Sequence, residues 1–384
     1  MRGIFQYQLF EEKFSMKKVF WCKNCVVMST RPRISFDERG FCSACQWAEK
    51  KKNLDWGSRE KSLINLLKKH KSKNNPFDCV VAVSGGKDGS YVAYNLKHKY
   101  NLNPLTVTIR PATETKTGIK DLNNFVQSGY NNILVSPDVE AMRRLNKLGL
   151  TEMGFPYYGW LISVHTAVLR VALQFNISLV FYSEDGEVEY GGDAEHINDG
   201  VYNVDYMKSA YLESGYDKIL KLSKLDDKKL FWFKFPTKEE LKKISLEITH
   251  YGFYENWDPY RNYQIAKKFC GLSENKNLNE GTYTNFAQND QKLYALHVYF
   301  MYLKYGFGRT TQDAAIDIRR GSLSRDQAVQ LIKLYDDLYP ESLFEEYCNY
   351  YKMSMSDFLK NIDKWVNKDL FEKKNKWIPK FEVE

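Results

Sequence analysis

The chain has 384 residues, 43% of them apolar, which suffices for a full α/β core with one or two smaller units and excludes a disordered protein. Its 56 basic and 48 acidic side chains leave a formal charge of +8, carried largely by lysines dispersed along helical segments, so the charge reads as solvated faces and does not require nucleic acid. No apolar run approaches membrane-spanning length, and residues 1–15 lack a signal-peptide core and cleavage site, so the expectation is a cytoplasmic protein with no membrane partner. Met16-Lys17-Lys18 reads as a second start behind an N-terminal extension.

Seven cysteines without an export signal argue against a disulfide framework. Cys22-x-x-Cys25 and Cys42-x-x-Cys45, with sixteen residues between them, fit a zinc ribbon, because each knuckle aims two thiolates at one ion. A closed four-thiolate shell leaves no position for substrate, which makes the expected Zn²⁺ structural; a redox pair and an iron–sulfur cluster are the alternatives. Trp56 to His70 follows as a lysine-rich helix with Leu63, Ile64, Leu66 and Leu67, and Lys71 to Pro76 reads as a linker.

The apolar run Cys79 to Val83 then enters Ser84-Gly85-Gly86-Lys87-Asp88-Gly89-Ser90, with an amphipathic segment from Tyr91 to Tyr100 behind it. A strand feeding a glycine turn and a helix start is a phosphate-holding arrangement, since glycines allow close backbone approach and the helix supplies free N–H groups. Lys87 adds a cation, and Asp88 beside a phosphate site suits Mg²⁺. The Walker pattern is absent, which argues against kinase-like or GTPase chemistry.

Leu105 to Ile109 and Ile133 to Ser136 are the next strands, Leu161 to Phe175 is a helix, and Leu179 to Tyr182 is a fourth strand. This alternation predicts a mainly parallel α/β sheet whose carboxyl edge gathers the glycine loop, Arg110 and the stretch Ser183 to Gly192. That stretch places Glu184, Asp185, Glu187 and Glu189 beside three glycines, a loop suited to binding Mg²⁺ and phosphate or to taking a proton from an amine. His165 reads as a core residue, and His196 is the histidine to watch.

Beyond Gly192 the expectation is helical. Capping patterns stand at Thr237-x-x-Glu240 and Ser324-x-x-Gln327, with helices at Gln291 to Tyr305, Gln312 to Arg320, Asp326 to Leu338 and Met355 to Leu370. Arg319 and Arg320 beside Gly321 suit either a diphosphate or salt bridges within the helix. The expected organisation is a zinc ribbon at 16–55, an α/β domain carrying the glycine loop at 56–235 and a helical region at 236–384.

Residues Ser84 to Ser90 resemble the SGGxDS loop of ATP pyrophosphatases, with Gly89 as one residue more than the short form; the acidic loop looks like that of the synthetase half of asparagine synthetase. Taken with the cysteine knuckles, Tyr157 to Ile162 and the run Gly281 to Asp290, the chain resembles the N-acetyl sugar amidotransferases of bacterial surface-glycan pathways. The resemblance implies a Rossmann-like pyrophosphatase-loop fold and conversion of an acetamido sugar to an acetamidino sugar, with release of AMP and pyrophosphate. It implies that Ser84, Gly85, Gly86 and Lys87 hold the β,γ-phosphates, with Gly89 and Ser90 completing the loop, while Asp88 binds Mg²⁺ and Arg110 lies near the adenosine. Glu184, Asp185 or Glu187 ligates metal or accepts the proton. Tyr158, Trp160, Tyr190, Gly191, Gly192, Arg309, Arg319 and Arg320 are the candidates for a nucleotide-linked sugar. No glutaminase module is visible, so ammonia is expected from a glutaminase paired with a cyclase-like channel protein. The alternatives are a tRNA-thiolating enzyme of the same loop class and a non-enzymatic zinc-ribbon nucleic-acid binder.

Overall fold

The computed structural model describes residues 19–71, 74–192 and 197–384. The N-terminal extension, the Met16 start and His196 lie outside the described residues, as does part of the stretch read as a linker.

Two knuckles open the described chain, with antiparallel bridges between Trp21 and Met28 and between Phe36 and Cys42. Helix α1 (Ser43–Lys51) starts directly after Cys42, and α2 (Trp56–His70) is capped by the Asp55 carboxylate, which accepts from Ser58 N at 2.9 Å. Leu63 and Leu67 lie buried on α2.

The alternating unit runs β1 (Cys79–Ala82), α3 (Lys87–His98), β2 (Pro104–Ile109), α4 (Lys116–Gln127), β3 (Asn131–Val135), α5 (Val139–Met153), α6 (Tyr158–Gln174) and β4 (Leu179–Tyr182). The central strands are near-continuous apolar runs because helices cover both faces of a parallel sheet. Asp138 caps the start of α5 by accepting from Ala141 N at 2.7 Å, and Gly154 ends it in the left-handed region at φ 60°.

The chain continues through α7 (Gly186–Tyr190), β5 (Val201–Tyr202), α8 (Val204–Tyr206), α9 (Tyr216–Ser223), α10 (Lys238–Lys243) and β6 (Glu247–His250). The sheet order is β3-β2-β1-β4-β6-β5, with every pairing parallel except β5 against β6. The expectation of an all-helical chain beyond Gly192 is therefore corrected: β6 extends the parallel sheet beside β4, with Phe181 opposite Thr249. Strand order reverses across β1 and β4, which opens a crevice at their carboxyl ends.

The remaining elements are α11 (Pro259–Phe269), α12 (Leu293–Tyr305), α13 (Arg309–Arg319), α14 (Arg325–Tyr335), α15 (Phe344–Tyr351), α16 (Met355–Trp365) and a hairpin of β7 (Phe371–Lys373) and β8 (Trp377–Pro379). Both expected capping boxes form, at Thr237 with Glu240 and at Ser324 with Gln327. Helix α16 stops at Trp365 instead of reaching Leu370, because Val366 turns extended.

One apolar cluster joins Leu145 and Ile162 of the α/β unit to Phe300, Leu303, Tyr347 and Phe358 of the C-terminal helices. Each such side chain contributes about 1.5–3 kcal/mol by leaving water, so this cluster holds the C-terminal region against α5 and α6. A second cluster packs the knuckle cysteines and Val26 on Ala314, Ala315, Ala328 and Val329 of α13 and α14.

Candidate active site

The glycine loop is shaped by its own neighbourhood. Val83 N donates to Val107 O at 2.9 Å and Thr108 Oγ1 donates to Val83 O at 2.7 Å, so β2 fixes the exit of β1. Gly85 turns at φ 84°, where a Cβ would stand 2.6 Å from Leu122 N. Gly86 caps α3 and no side chain bonds the helix start, which leaves the first-turn N–H groups facing the crevice for an anion.

Lys87 and Asp88 form an ion pair at that start, and Asn262 Nδ2 donates to Asp88 Oδ1 at 3.1 Å. Asn262 is fully buried on α11, whose first turn is set by the Asp258 cap and Pro259. Gly89 packs the helix on the strand: a Cβ there would meet Ala82 O at 2.6 Å and Val83 Cα at 3.0 Å. Ser90 is buried on the inner face of α3, where its Oγ has no partner, so it does not line the mouth of the loop with Ser84 to Asp88.

The acidic loop leaves the end of β4, on the neighbouring strand. Burial, and then the Asp88 charge, raise the Glu184 carboxyl to about 7, with Lys87 acting in the opposite direction. The Glu184 and Asp88 carboxylates thus lie within electrostatic reach of each other and of Lys87. Tyr190 Oη donates to Glu184 Oε1 at 3.3 Å.

Asp185 points elsewhere. It accepts from Glu187 N at 3.1 Å and from Tyr211 Oη at 3.1 Å, and Tyr211 also hydrogen-bonds His250 Nε2 at 3.1 Å. Burial raises its carboxyl to about 6.

The other two carboxylates are bound to the cysteine module. Arg33 grips Glu187 through two bonds of 2.8 and 2.6 Å, while Glu189 takes Lys51 Nζ at 2.8 Å and Trp47 Nε1 at 2.8 Å. Ser43 Oγ donates to Gly191 O at 2.9 Å, and a Cβ on Gly191 would stand 2.9 Å from Ala44 N. Gly192 closes the turn, its N donating to Glu187 O at 2.6 Å. Glu184 is the carboxylate on which the Asp88 and Lys87 charges of the glycine loop act.

The remaining sequence candidates separate into several environments. Arg110 is exposed at the end of β2, 3.6 Å from Glu114. Tyr158 is fully buried in the core and donates to Leu212 O at 2.5 Å; its neighbour Tyr157 stacks on Tyr294 instead. Trp160 Nε1 donates to Ile109 O at 3.1 Å, at the end of β2. Arg309 pairs with Asp313 at 2.8 Å and donates to Tyr294 Oη at 2.7 Å, and Arg320 pairs with Asp317 and Asp258. Arg319 turns toward the cysteines, 3.9 Å from Cys25 Sγ.

Sequence reasoning gives no individual role to Asn262, which follows the Asp-Pro cap by four residues, or to Asp290 at the end of the run from Gly281, whose buried Oδ1 has no partner and whose carboxyl is raised to about 6 by burial. His165 is core as expected, though its Nδ1 is unpartnered, and burial lowers it to about 4.

The four knuckle sulfurs are buried and lie within 4.8 Å of one another. The 3.8 Å between Cys22 and Cys45 and 3.6 Å between Cys25 and Cys42 match the edge of a tetrahedron with metal–sulfur bonds of about 2.3 Å. Cys42 N donates to Cys22 Sγ at 3.2 Å and Asn24 Nδ2 to Cys45 Sγ at 3.3 Å, contacts that stabilise thiolates. This donor set fits a metal ion.

Residues 280–382 match the family model of the C-terminal domain of WbpG-like lipopolysaccharide biosynthesis proteins, which supports the surface-glycan family indicated by the sequence. No curated protein matches the chain. Among solved structures, a similar chain is the U34-tRNA thiolase NcsA from Methanococcus maripaludis with its 4Fe–4S cluster. It is 13% identical, with 63% of this chain and 90% of that chain covered, at a TM-score of 0.27, too loose a likeness to bear on chemistry. Among the described residues, no helix is long and apolar enough to cross a membrane.

Proposed function

We propose that this chain, with its WbpG-like C-terminal region, is an ATP-dependent amidotransferase of lipopolysaccharide biosynthesis that converts the acetamido group of a nucleotide-linked N-acetyl sugar into an acetamidino group. The observation that carries the reading is the glycine turn at Gly85 and Gly86 feeding the uncapped start of α3, with a neighbouring Glu184 whose carboxyl is raised by burial and by the Asp88 charge. A phosphate-holding backbone facing a carboxylate with a raised pKa suits adenylation followed by attack of an amine.

In this reading the first-turn N–H groups of α3 and Lys87 hold the leaving pyrophosphate. The acetamido oxygen bonds to the α-phosphorus as pyrophosphate departs, and ammonia then bonds to the activated carbon while AMP leaves with that oxygen. Mg²⁺, when bound, neutralises phosphate charge; Asp88, steadied by Asn262, and Glu184 are the groups that would hold it. The side chain of Tyr190 orients Glu184. The four cysteines hold Zn²⁺ as a closed structural site. Ammonia comes from a glutaminase with a cyclase-like channel protein.

The test is to incubate the protein with ATP, Mg²⁺, a high ammonium concentration and a panel of nucleotide-linked N-acetyl sugars. Sugar-dependent AMP together with a product one mass unit lighter is the expected result. ADP as product, or AMP formed only with tRNA, would reject it.

A further inference from the structure

The run Gly281 to Asp290 ends at the carboxyl edge of the sheet. Thr115 N donates to Asp290 O at 3.1 Å, Glu114 and Gln291 form an antiparallel bridge, and Lys292 N donates to Thr113 O at 3.0 Å, so this segment is tied to the loop between β2 and α4. Gly118 of α4 lies against it, where a Cβ would stand 2.5 Å from Asp290 Cα. Further along the same helix, a Cβ on Gly85 would stand 2.6 Å from Leu122 N. Asp290 and the glycine loop thus touch α4 about one helical turn apart.

The Asp290 side chain is half-buried, and its Oδ1 is shielded without a hydrogen-bond partner. The next residue, Gln291, is 4% exposed, and its Oε1 is unpartnered too. Burial raises the Asp290 carboxyl to about 6, opposed by the backbone N–H groups of Asp290 and Gln291 and by no cation among the described residues. Tyr157 and Tyr294 lie within electrostatic reach of Asp290, with their rings stacked at 6.3 Å. Arg309, which reaches Tyr294 Oη, is already engaged by Asp313.

A shielded carboxylate oxygen with no donor calls for one from outside the chain, and neighbouring aromatic rings favour a cation. Ammonium consists of N–H donors around one positive charge and needs no more room than a water molecule. We propose that Asp290 is a catalytic residue of the second half-reaction, receiving ammonium beside Tyr157 and Tyr294 and taking one proton from it. The N–H bond breaks as its proton passes to the carboxylate, the freed lone pair bonds to the activated carbon, and the carbon–oxygen bond to AMP breaks; Asp290 then gives the proton to water. The identity of the nucleophile rests on the amidotransferase reading, whereas the cation site rests on the unpartnered carboxylate.

The experiment compares the full chain with Asp290→Asn in three readings. Sugar-dependent exchange of labelled pyrophosphate into ATP, without ammonium, reports adenylation and should change less than about twofold. The kcat/KM for ammonium should fall about 100-fold, and hydroxylamine, mostly uncharged at neutral pH, should recover most of that loss. Thallium(I), close to ammonium in size and equal in charge, diffused into crystals should give an anomalous peak beside Asp290 Oδ1 that is missing from Asp290→Asn. Ammonium use within about threefold of the parent, an equal defect with hydroxylamine, a matching loss of exchange in the variant, or no thallium at Asp290 overturns the proposal. Absence of exchange in the unaltered chain rejects the amidotransferase reading instead, and thallium binding then decides the cation site by itself.

Discussion

The two loops that face each other at the sheet edge are held in opposite ways. Ser84 to Gly89 is positioned by the elements around it, a strand end bonded to β2, a turn at Gly85 against the backbone of α4, and a helix whose Gly89 packs on the backbone of β1's exit. Ser183 to Gly192 leaves a strand too, but beyond Asp185 it is held by Arg33, Ser43, Trp47 and Lys51 of the cysteine module. One half of the site is intrinsic to the α/β sheet, and the other half depends on a metal-sized cluster far away in sequence. A Cys₄ site with no room for substrate can thus still govern the chemistry, by holding the loop that begins with Glu184.

The largest effect should come from removing that support. Cys42→Ser, or chelation of the metal, should reduce turnover about a thousandfold, because a displaced loop forfeits orientation. Hydrogen exchange should rise across 186–192 while α3 stays protected; equal loss of protection in both loops would erase the distinction.

Lys87→Ala and Asp88→Ala attack the intrinsic half, with an expected loss of about 10²- to 10³-fold in turnover and full metal content by elemental analysis. Normal turnover in both would remove the glycine loop from the reaction. The Glu184 carboxyl, raised to about 7, ionises only as pH rises through that value. A step that needs its charged form should therefore slow about tenfold per pH unit below about 7, and Glu184→Gln should lack that limb. A limb retained in the variant would assign the titration to another group.

Gly89→Ala should cost about 1–3 kcal/mol of stability, measured by denaturant unfolding, because its Cβ would press on Ala82 O. Smallest is Arg33→Gln: Arg33 is 42% exposed, so screening limits the pair with Glu187 to about 0–1 kcal/mol, and only a few-fold change in turnover is expected. A loss as large as that of Cys42→Ser would mean that this one bridge carries the whole loop.

The same contrast decides what was legible in the sequence. The glycine loop, the two cysteine knuckles and the strands β1 to β4 announce themselves through local spacing and apolar runs, since contiguous residues build them. Strand β6 was missed because Glu-Ile-Thr-His is short and becomes a strand only by pairing with β4. The acidic loop was readable as a group of carboxylates, but not the division of labour within it: Glu184, Asp185, Glu187 and Glu189 differ through partners that come from four separate segments. Tyr157 and Tyr158 are indistinguishable as letters; both are buried, and tertiary packing stacks one on Tyr294 while the other donates to Leu212 O.

The most direct test of the reaction follows one oxygen atom. A nucleotide-linked N-acetyl sugar carrying heavy oxygen in its acetamido group is incubated with the protein, ATP, Mg²⁺ and ammonium, and the products are weighed by mass spectrometry. Transfer of the label into AMP is predicted, because the acetamido oxygen bonds to the α-phosphorus and leaves with it. Label retained in the sugar product, or AMP formed without it, would contradict adenylation of the amide oxygen.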